Sequence, residues 1–261
     1  MRTATLIGYG EAGQAFDLDG VWRAFDSVPE RSKGATLAEA LNGAEVVLSL
    51  VTADQAVLAA QAAAGHIATG TLYCDMNSVA PGTKRAAAAL IEAVGGRYLD
   101  VAVMSPVYPA RRATPLLVSG PDALDGAAVL TELGFGNVRV VGDAVGRAST
   151  IKMLRSVMYK GVEALTAECL IACERAGVTE EVLASFNNDW SSGADYRIDR
   201  MMVHGTRRAA EMAEVVKTLE ALGVEPLLTR GTVVRQGQIG AMNMSSPPNG
   251  LDAKLRKLSS Q

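Results

Sequence analysis

The sequence is poor in most of the features that mark a special class of protein. Its 261 residues include only three cysteines, four phenylalanines and two tryptophans. Three thiols do not make a disulfide framework in a chain this long, and Cys169 and Cys173 sit at helical spacing with no histidine nearby. Buried thiols are therefore expected rather than a metal centre. The two histidines, His66 and His204, lie far apart with no paired-ligand spacing around either, so metal catalysis is not expected. Neither sign of charge is in excess: 25 Lys+Arg stand against 28 Asp+Glu, a net charge of −3. Binding of nucleic acid through phosphate neutralisation needs a basic surplus, and none is present. No apolar run approaches the roughly 18 residues of a membrane helix, and the run after Met1-Arg2-Thr3 is too short for a signal segment. The expectation is a soluble, cytoplasmic protein with neither a membrane nor a nucleic-acid partner. No internal period repeats, which sets aside solenoids and propellers.

What is present is alternation. Short apolar runs at 4–7, 21–25, 45–51, 71–74, 97–103, 116–118 and 137–141 read as buried parallel strands, and Ala-rich stretches of helical length lie between them. Strand, helix, strand over about 140 residues is the pattern of a doubly wound α/β sheet. From about residue 146 the strand pattern stops. Residues 148–176 read as one long helix ending at Gly177, with further helical segments near 179–187, 194–222 and 231–243. The tail from Met244, with Ser245-Ser246-Pro247-Pro248-Asn249-Gly250, breaks any preceding helix. The expected fold is α/β: a Rossmann-like doubly wound domain over 1–145 and an all-α domain over 146–261, joined by a long interdomain helix.

Directly after the first strand stands Gly8-Tyr9-Gly10-Glu11-Ala12-Gly13, the G-x-G-x-x-G spacing in the place where a dinucleotide fold needs it. Gly8 would make the tight turn, Gly10 would let the backbone approach a pyrophosphate, and Gly13 would let the helix pack on the strand. Free N–H groups of Glu11, Ala12 and their neighbours would face the anion. Asp26, after the second strand, would accept hydrogen bonds from the ribose hydroxyls and repel a 2′-phosphate, which favours NAD. Gly13 to Asp26 is thirteen positions rather than the usual span of about 20 from fingerprint to acid, so the first helix must be clipped to about two turns. Arg31, Ser32 and Lys33 follow closely and offer an alternative grip on a 2′-phosphate, so NADP stays open.

Four further segments line up with one superfamily. Leu50-Val51-Thr52-Ala53-Asp54, Asp75-Met76-Asn77-Ser78-Val79-Ala80-Pro81, Asp100-Val101-Ala102-Val103-Met104-Ser105-Pro106-Val107 and Gly142 to Ser156 resemble, in order, segments of the β-hydroxyacid dehydrogenases. That group includes 6-phosphogluconate and 3-hydroxyisobutyrate dehydrogenases, and the chain is most similar to a branch with a short helical C-terminal domain. The resemblance implies that Val51 and Thr52 pass beside the nicotinamide ribose and that Asn77 touches cofactor and substrate. It also implies that Ser105 holds a substrate carboxylate and that Lys152 is the catalytic lysine. Two departures stand out. Pro106 and Val107 replace a pair of glycines, and proline has no N–H to give; Arg155 and Ser156 stand where His or Asn and Asn are common. Read on its own, Ser78 is a helix cap with Pro81 in the first turn.

On the long helix, Lys152, Ser156, Tyr159 and Glu163 fall within a narrow polar stripe, while Met153, Leu154, Val157, Met158 and Leu165 cover the other side. Such a stripe is either solvated surface or the lining of a cleft. The helix begins at the C-terminal side of the sheet, where ligands bind in open α/β folds, which favours the cleft. In the helical half, Trp190 with Ser191-Ser192-Gly193, and the stretch around His204, stand where they would close over a substrate. The expected activity is hydride transfer between a secondary alcohol or carbonyl, a small hydroxy acid, and nicotinamide. Lys152 would be general acid and base, its pKa brought from about 10.4 toward roughly 7–8 by burial and a cationic neighbour. Ser105, Ser156, Asn77, Tyr159 and His204 would be its substrate contacts. Relatives that reduce imines lack this lysine, so its presence favours alcohol/carbonyl chemistry, with an imine- or aldehyde-reducing relative as an alternative. A dinucleotide sensor or scaffold without turnover is the reading from another class, and a methyltransferase would leave the lysine unexplained. Met201, Met202, Met212 and Val215-Val216 look like more apolar surface than a small helical domain can hide, which with the resemblance points to a homodimer.

Overall fold

The computed structural model describes residues 4–33, 36–186 and 190–259, and for Trp190, Ser191 and Ser192 only the backbone. The chain divides into two compact units, Met1–Met153 and Leu154–Gln261. The first is a seven-stranded sheet in the order β2-β1-β3-β4-β5-β6-β7. Its strands are β1 (Ala4–Ile7), β2 (Arg23–Phe25), β3 (Val46–Ser49), β4 (Leu72–Asp75), β5 (Arg97–Val103), β6 (Leu116–Ser119) and β7 (Val138–Gly142). The first five run parallel. The expectation of an all-parallel sheet fails at β6, which pairs antiparallel with β5 through Asp100↔Ser119 and Val103↔Leu116, and β7 follows β6 in parallel. The connection from β5 to β6 carries only the short turn Arg111–Ala113, too little chain for the helix that a parallel return requires.

Central strands are buried on both faces, as continuous apolar runs demand, whereas the edge strands β2 and β7 are only partly covered. Around the sheet stand α1 (Glu11–Phe16), α2 (Leu37–Leu41), α3 (Ala56–Ala64), α4 (Pro81–Glu92) and α5 (Ala123–Glu132). The clipped first helix is real: α1 has six residues and stops at Asp17. One core gathers Leu6, Phe16, Leu48, Val101 and Phe135 on one face, and another gathers Val47, Tyr73, Ile91 and Tyr98 on the other.

The 30-residue helix α6 (Arg147–Ala176) starts in the first unit and runs into the second, ending at Gly177 with φ +69°. The second unit continues with α7 (Thr179–Ser185), α8 (Trp190–Ala221), α9 (Leu227–Gly240) and α10 (Leu251–Ser259). α8 and α9 approach backbone to backbone at Gly205 and Gly240, where a Cβ on Gly205 would lie 2.5 Å from the Gln236 carbonyl oxygen. Met201, Met202, Met212 and Val215 are buried inside this unit and Val216 is half-buried, so these residues do not form the exposed apolar face expected of them. The polar stripe of α6 is turned inward except at Tyr159, which is 61% exposed. Glu163 is buried, pairs with Arg208 and accepts from Gln236 Nε2 at 3.1 Å, and Lys160 reaches Glu211 at 2.5 Å. On the other side, Met158 and Leu165 are 67% and 63% exposed. Polar partners on α8 and α9 draw the charged side of α6 inward, because a buried charge is tolerated only when paired.

Candidate active site

β1, β3, β4 and β5 are parallel, so their C-terminal ends share one edge of the sheet. The glycine loop, Val51, Asn77 and Ser105 follow these ends directly. Gly8 adopts φ +93°, and a Cβ there would collide with the Leu50 carbonyl; a Cβ on Gly13 would lie 2.5 Å from the Gly8 carbonyl oxygen. The side of Gly10 that a Cβ would occupy opens into free space. Two glycines are thus needed for packing, and the third leaves backbone open to a ligand. Glu11, exposed, and Ala12, half-buried, form the first turn of α1, whose leading N–H groups have no partner within the helix. Asp26 closes the loop from the next strand. Its Oδ2 accepts the Tyr9 N–H at 2.7 Å and its Oδ1 the Val28 N–H at 2.9 Å, each oxygen retaining a second lone pair. Arg31 is exposed at the end of the turn Pro29–Arg31. Lys33 is already engaged, paired with Asp17 and donating to the Gly20 and Trp22 carbonyls at 2.8 and 3.0 Å.

Along the same edge, Asn77 Oδ1 accepts the Val51 N–H at 2.7 Å and its amide donates to Ser49 Oγ at 3.0 Å. Asn77 is buried and clasps the ends of β3 and β4 together. Thr52 is exposed, and its hydroxyl, after the side chain of Gln55, helps hold the Asp54 carboxyl below its ordinary pKa. Ser105 is half-buried and donates to the Pro106 carbonyl at 3.2 Å. Ser78 is not a helix cap: α4 is capped at Ala80, with Pro81 as the first helical residue. The Ser78 hydroxyl instead accepts from Lys152 Nζ at 2.5 Å. Lys152 is half-buried, just inside the start of α6.

That helix start is held by groups that sequence reading missed. Lys84, fully buried, donates to the Asp75 carbonyl at 2.5 Å and to Asp75 Oδ1 at 3.0 Å, and stands 3.4 Å from Asp100 Oδ1. Asp100 Oδ2 in turn accepts the Gly146 and Ser149 N–H groups at 3.1 and 3.0 Å and the Ser119 and Ser149 hydroxyls at 3.1 Å. A carboxylate at a helix N-terminus meets both the free amides and the positive end of the helix dipole. The hint in the sequence was a lysine within an Ala-rich helix facing two strands that both carry aspartates. Ser156, Tyr159 and His204 belong to the second unit. Ser156 is buried, His204 is half-buried on α8, and Tyr159 is 61% exposed with the Arg155 guanidinium 4.1 Å above its ring. The side chains of Trp190, Ser191 and Ser192 lie outside the described residues. Among the described residues no cluster of His, Cys, Asp or Glu forms a metal site, and no helix is long and apolar enough to cross a membrane.

Residues 24–141 match the family described as the NAD binding domain of 6-phosphogluconate dehydrogenase. Residues 174–239 match a domain of unknown function, DUF1932. A conserved hypothetical protein from Sinorhizobium meliloti 1021 is 34% identical, with 100% of this chain and 96% of that one covered and a TM-score of 0.73. A second conserved protein of unknown function, reported to be similar in structure to 3-hydroxyacid dehydrogenases, is 31% identical over 94% of this chain and 99% of its own, with a TM-score of 0.67. The chain belongs to the 6-phosphogluconate dehydrogenase-like superfamily of β-hydroxyacid dehydrogenases. In fold it also matches the Mycobacterium tuberculosis 3-hydroxyisobutyrate dehydrogenase with L-serine, at 19% identity, 99% coverage of both chains and a TM-score of 0.74.

The superfamily's dinucleotide fits the residues present. The open face of Gly10 and the carboxylate of Asp26 stand where a pyrophosphate and a ribose would be received. At the positions next to the departures from the superfamily pattern, Ser78 partners Lys152 and the Ser105 hydroxyl is spent on the Pro106 carbonyl.

Proposed function

We propose that this protein is an NAD(P)-dependent oxidoreductase that interconverts a secondary alcohol and its carbonyl in a small hydroxy acid, with Lys152 as general acid and base. The observation that carries the reading is the Lys152–Ser78 contact of 2.5 Å at the sheet edge that also bears the glycine loop. A bound nicotinamide supplies hydride acceptance or donation. The chain's own residues do the rest. In oxidation, neutral Lys152 takes the hydroxyl proton at Nζ; in reduction it returns that proton to the carbonyl oxygen. Ser78 Oγ fixes the direction of the ammonium, and Ser105, Ser156, Asn77, Tyr159 and His204 orient the substrate. NAD is the preferred cofactor, because Asp26 accepts ribose hydroxyls and repels a 2′-phosphate.

The test is a screen of small hydroxy acids that carry a secondary hydroxyl, and of the matching oxo acids, for cofactor reduction or oxidation with NAD and with NADP. Turnover of any member supports the reading. The second reading, a dinucleotide sensor, is favoured by one observation: Ser105 spends its hydroxyl on Pro106, and proline has no amide to offer a carboxylate. Tight dinucleotide binding with no turnover across the panel would select it.

A further inference from the structure

Beneath the glycine loop lies a charged cluster that neither the fingerprint nor the proposed reaction uses. Asp17, at the end of α1, is buried. Its Oδ1 accepts the Trp22 N–H at 3.2 Å, and its Oδ2 accepts the Tyr9 hydroxyl at 3.0 Å and pairs with Lys33. With the Gly20 and Trp22 carbonyls added, all three hydrogens of the Lys33 ammonium have acceptors. That ammonium stands 4.9 Å from the centroid of the Tyr9 ring, and the Tyr9 N–H is held by Asp26. One residue therefore separates Lys33 from the carboxylate that meets the ribose. The Lys33 backbone N–H bonds to the Ala24 carbonyl at 3.1 Å, so its flexible stem is rooted beside β2, the strand that Asp26 follows.

We propose that Asp17 is a specificity-determining residue: by holding Lys33 it withholds a cation from the 2′ position of the adenosine ribose and biases the site against NADP. The proposal rests on the reading that the Gly8–Gly13 loop and Asp26 receive the adenosine half of a dinucleotide. The side chains around this end are Asp17, Asp26 and Glu30 against Arg31 and Lys33, a local balance of one negative charge to which a 2′-phosphate adds about two more. The lock holds where the cofactor would bind. Burial opposes both charges, yet Asp17 stays below the ordinary carboxyl pKa through Lys33 and the Trp22 N–H, and Lys33 stays above that of a free lysine through Asp17.

Dissociation constants for NADH and NADPH, measured by fluorescence titration of the full chain, test the proposal. Asp17→Asn keeps an acceptor for Trp22 but gives up the charge, and should move the NADPH to NADH affinity ratio about fivefold toward NADPH, from one charge removed at close range in a solvated site. Asp19→Asn, the same charge change on the exposed neighbouring turn, should move it far less. Asp17→Asn combined with Lys33→Met should return the ratio to that of the parent. An unchanged ratio in folded Asp17→Asn, or an equal shift with Asp19→Asn, overturns the proposal; Asp17→Ser carries the same test should the amide not fold. If the parent binds NADPH more tightly than NADH, the role of Asp26 fails, while the proposal is still judged on the change in ratio. Absence of binding to either dinucleotide would remove both.

Discussion

Replacing Lys84 with methionine removes the one cation seen between two buried carboxylates. Methionine matches the stem of lysine in length, so the cavity term is small and the loss is mainly electrostatic. Asp75 loses a partner at 3.0 Å and Asp100 one at 3.4 Å, with no exposed route by which water can replace them, since all three side chains are fully buried. Breaking a buried ion pair from one side costs about 3–5 kcal/mol. For a domain of this size that corresponds to a melting temperature lower by roughly 6–20 °C. Lys84→Met with Asp75→Asn should recover stability relative to Lys84→Met alone. Thermal denaturation followed by circular dichroism at neutral pH measures both. A loss under about 1 kcal/mol, the scale of an exposed pair, or no recovery in the double variant, would refute the account of the cluster.

Three further outcomes are expected. NADH should bind more tightly than NADPH, and Asp26→Ser should narrow the gap; competitive binding measurements check this, and equal or tighter NADPH binding would hand the role to Arg31. In solution the protein should be a homodimer with a sedimentation mass near twice 27.2 kDa, joined through the exposed α6 face of Leu154, Met158 and Leu165; Leu165→Glu should then weaken association, and a parent mass of one chain would contradict it. Iodoacetamide should label Cys169 first and leave Cys74 untouched in the native state, because complete burial, with Asp75 adjacent, pushes the Cys74 thiol far above its ordinary pKa; mass spectrometry of the labelled peptides decides.

The strands were legible because a strand buried on both faces reads as a short, mostly apolar run, and 4–7, 45–51 and 116–118 are such runs. Their direction was not, since an apolar run reads the same either way, and only the short β5–β6 connection reveals that β6 turns back. The glycine loop was legible because Gly8 and Gly13 answer steric demands local to the turn, while Gly10 leaves the backbone open. On α6 the spacing located the polar stripe correctly but could not name the partners that bury part of it. Glu163 is buried because Arg208 and Gln236, 45 and 73 residues away, supply its partners. The same holds at the site. Lys152 was visible from its segment, whereas Ser78 as its partner, Lys84 beneath Asp75 and Asp100, and the capture of Lys33 by Asp17 all depend on contacts between distant parts of the chain. α10 was missed because it follows a Pro-Pro-Asn-Gly break and is short and highly charged.

The central claim is that Lys152 moves a proton. Its most direct test is the turnover number of Lys152→Met beside that of Lys152→Arg, on whichever hydroxy acid the parent oxidises, with cofactor affinity measured in parallel. Lys152→Met should lower turnover by about 10²–10⁴-fold, the usual share of general acid–base catalysis. Lys152→Arg keeps the charge but cannot release its proton near neutral pH, so it should be nearly as slow. Dinucleotide affinity should barely change in either. Substantial activity in Lys152→Arg would contradict the account, making Lys152 a binding cation and moving the search for the base to Tyr159, His204 or a bound water.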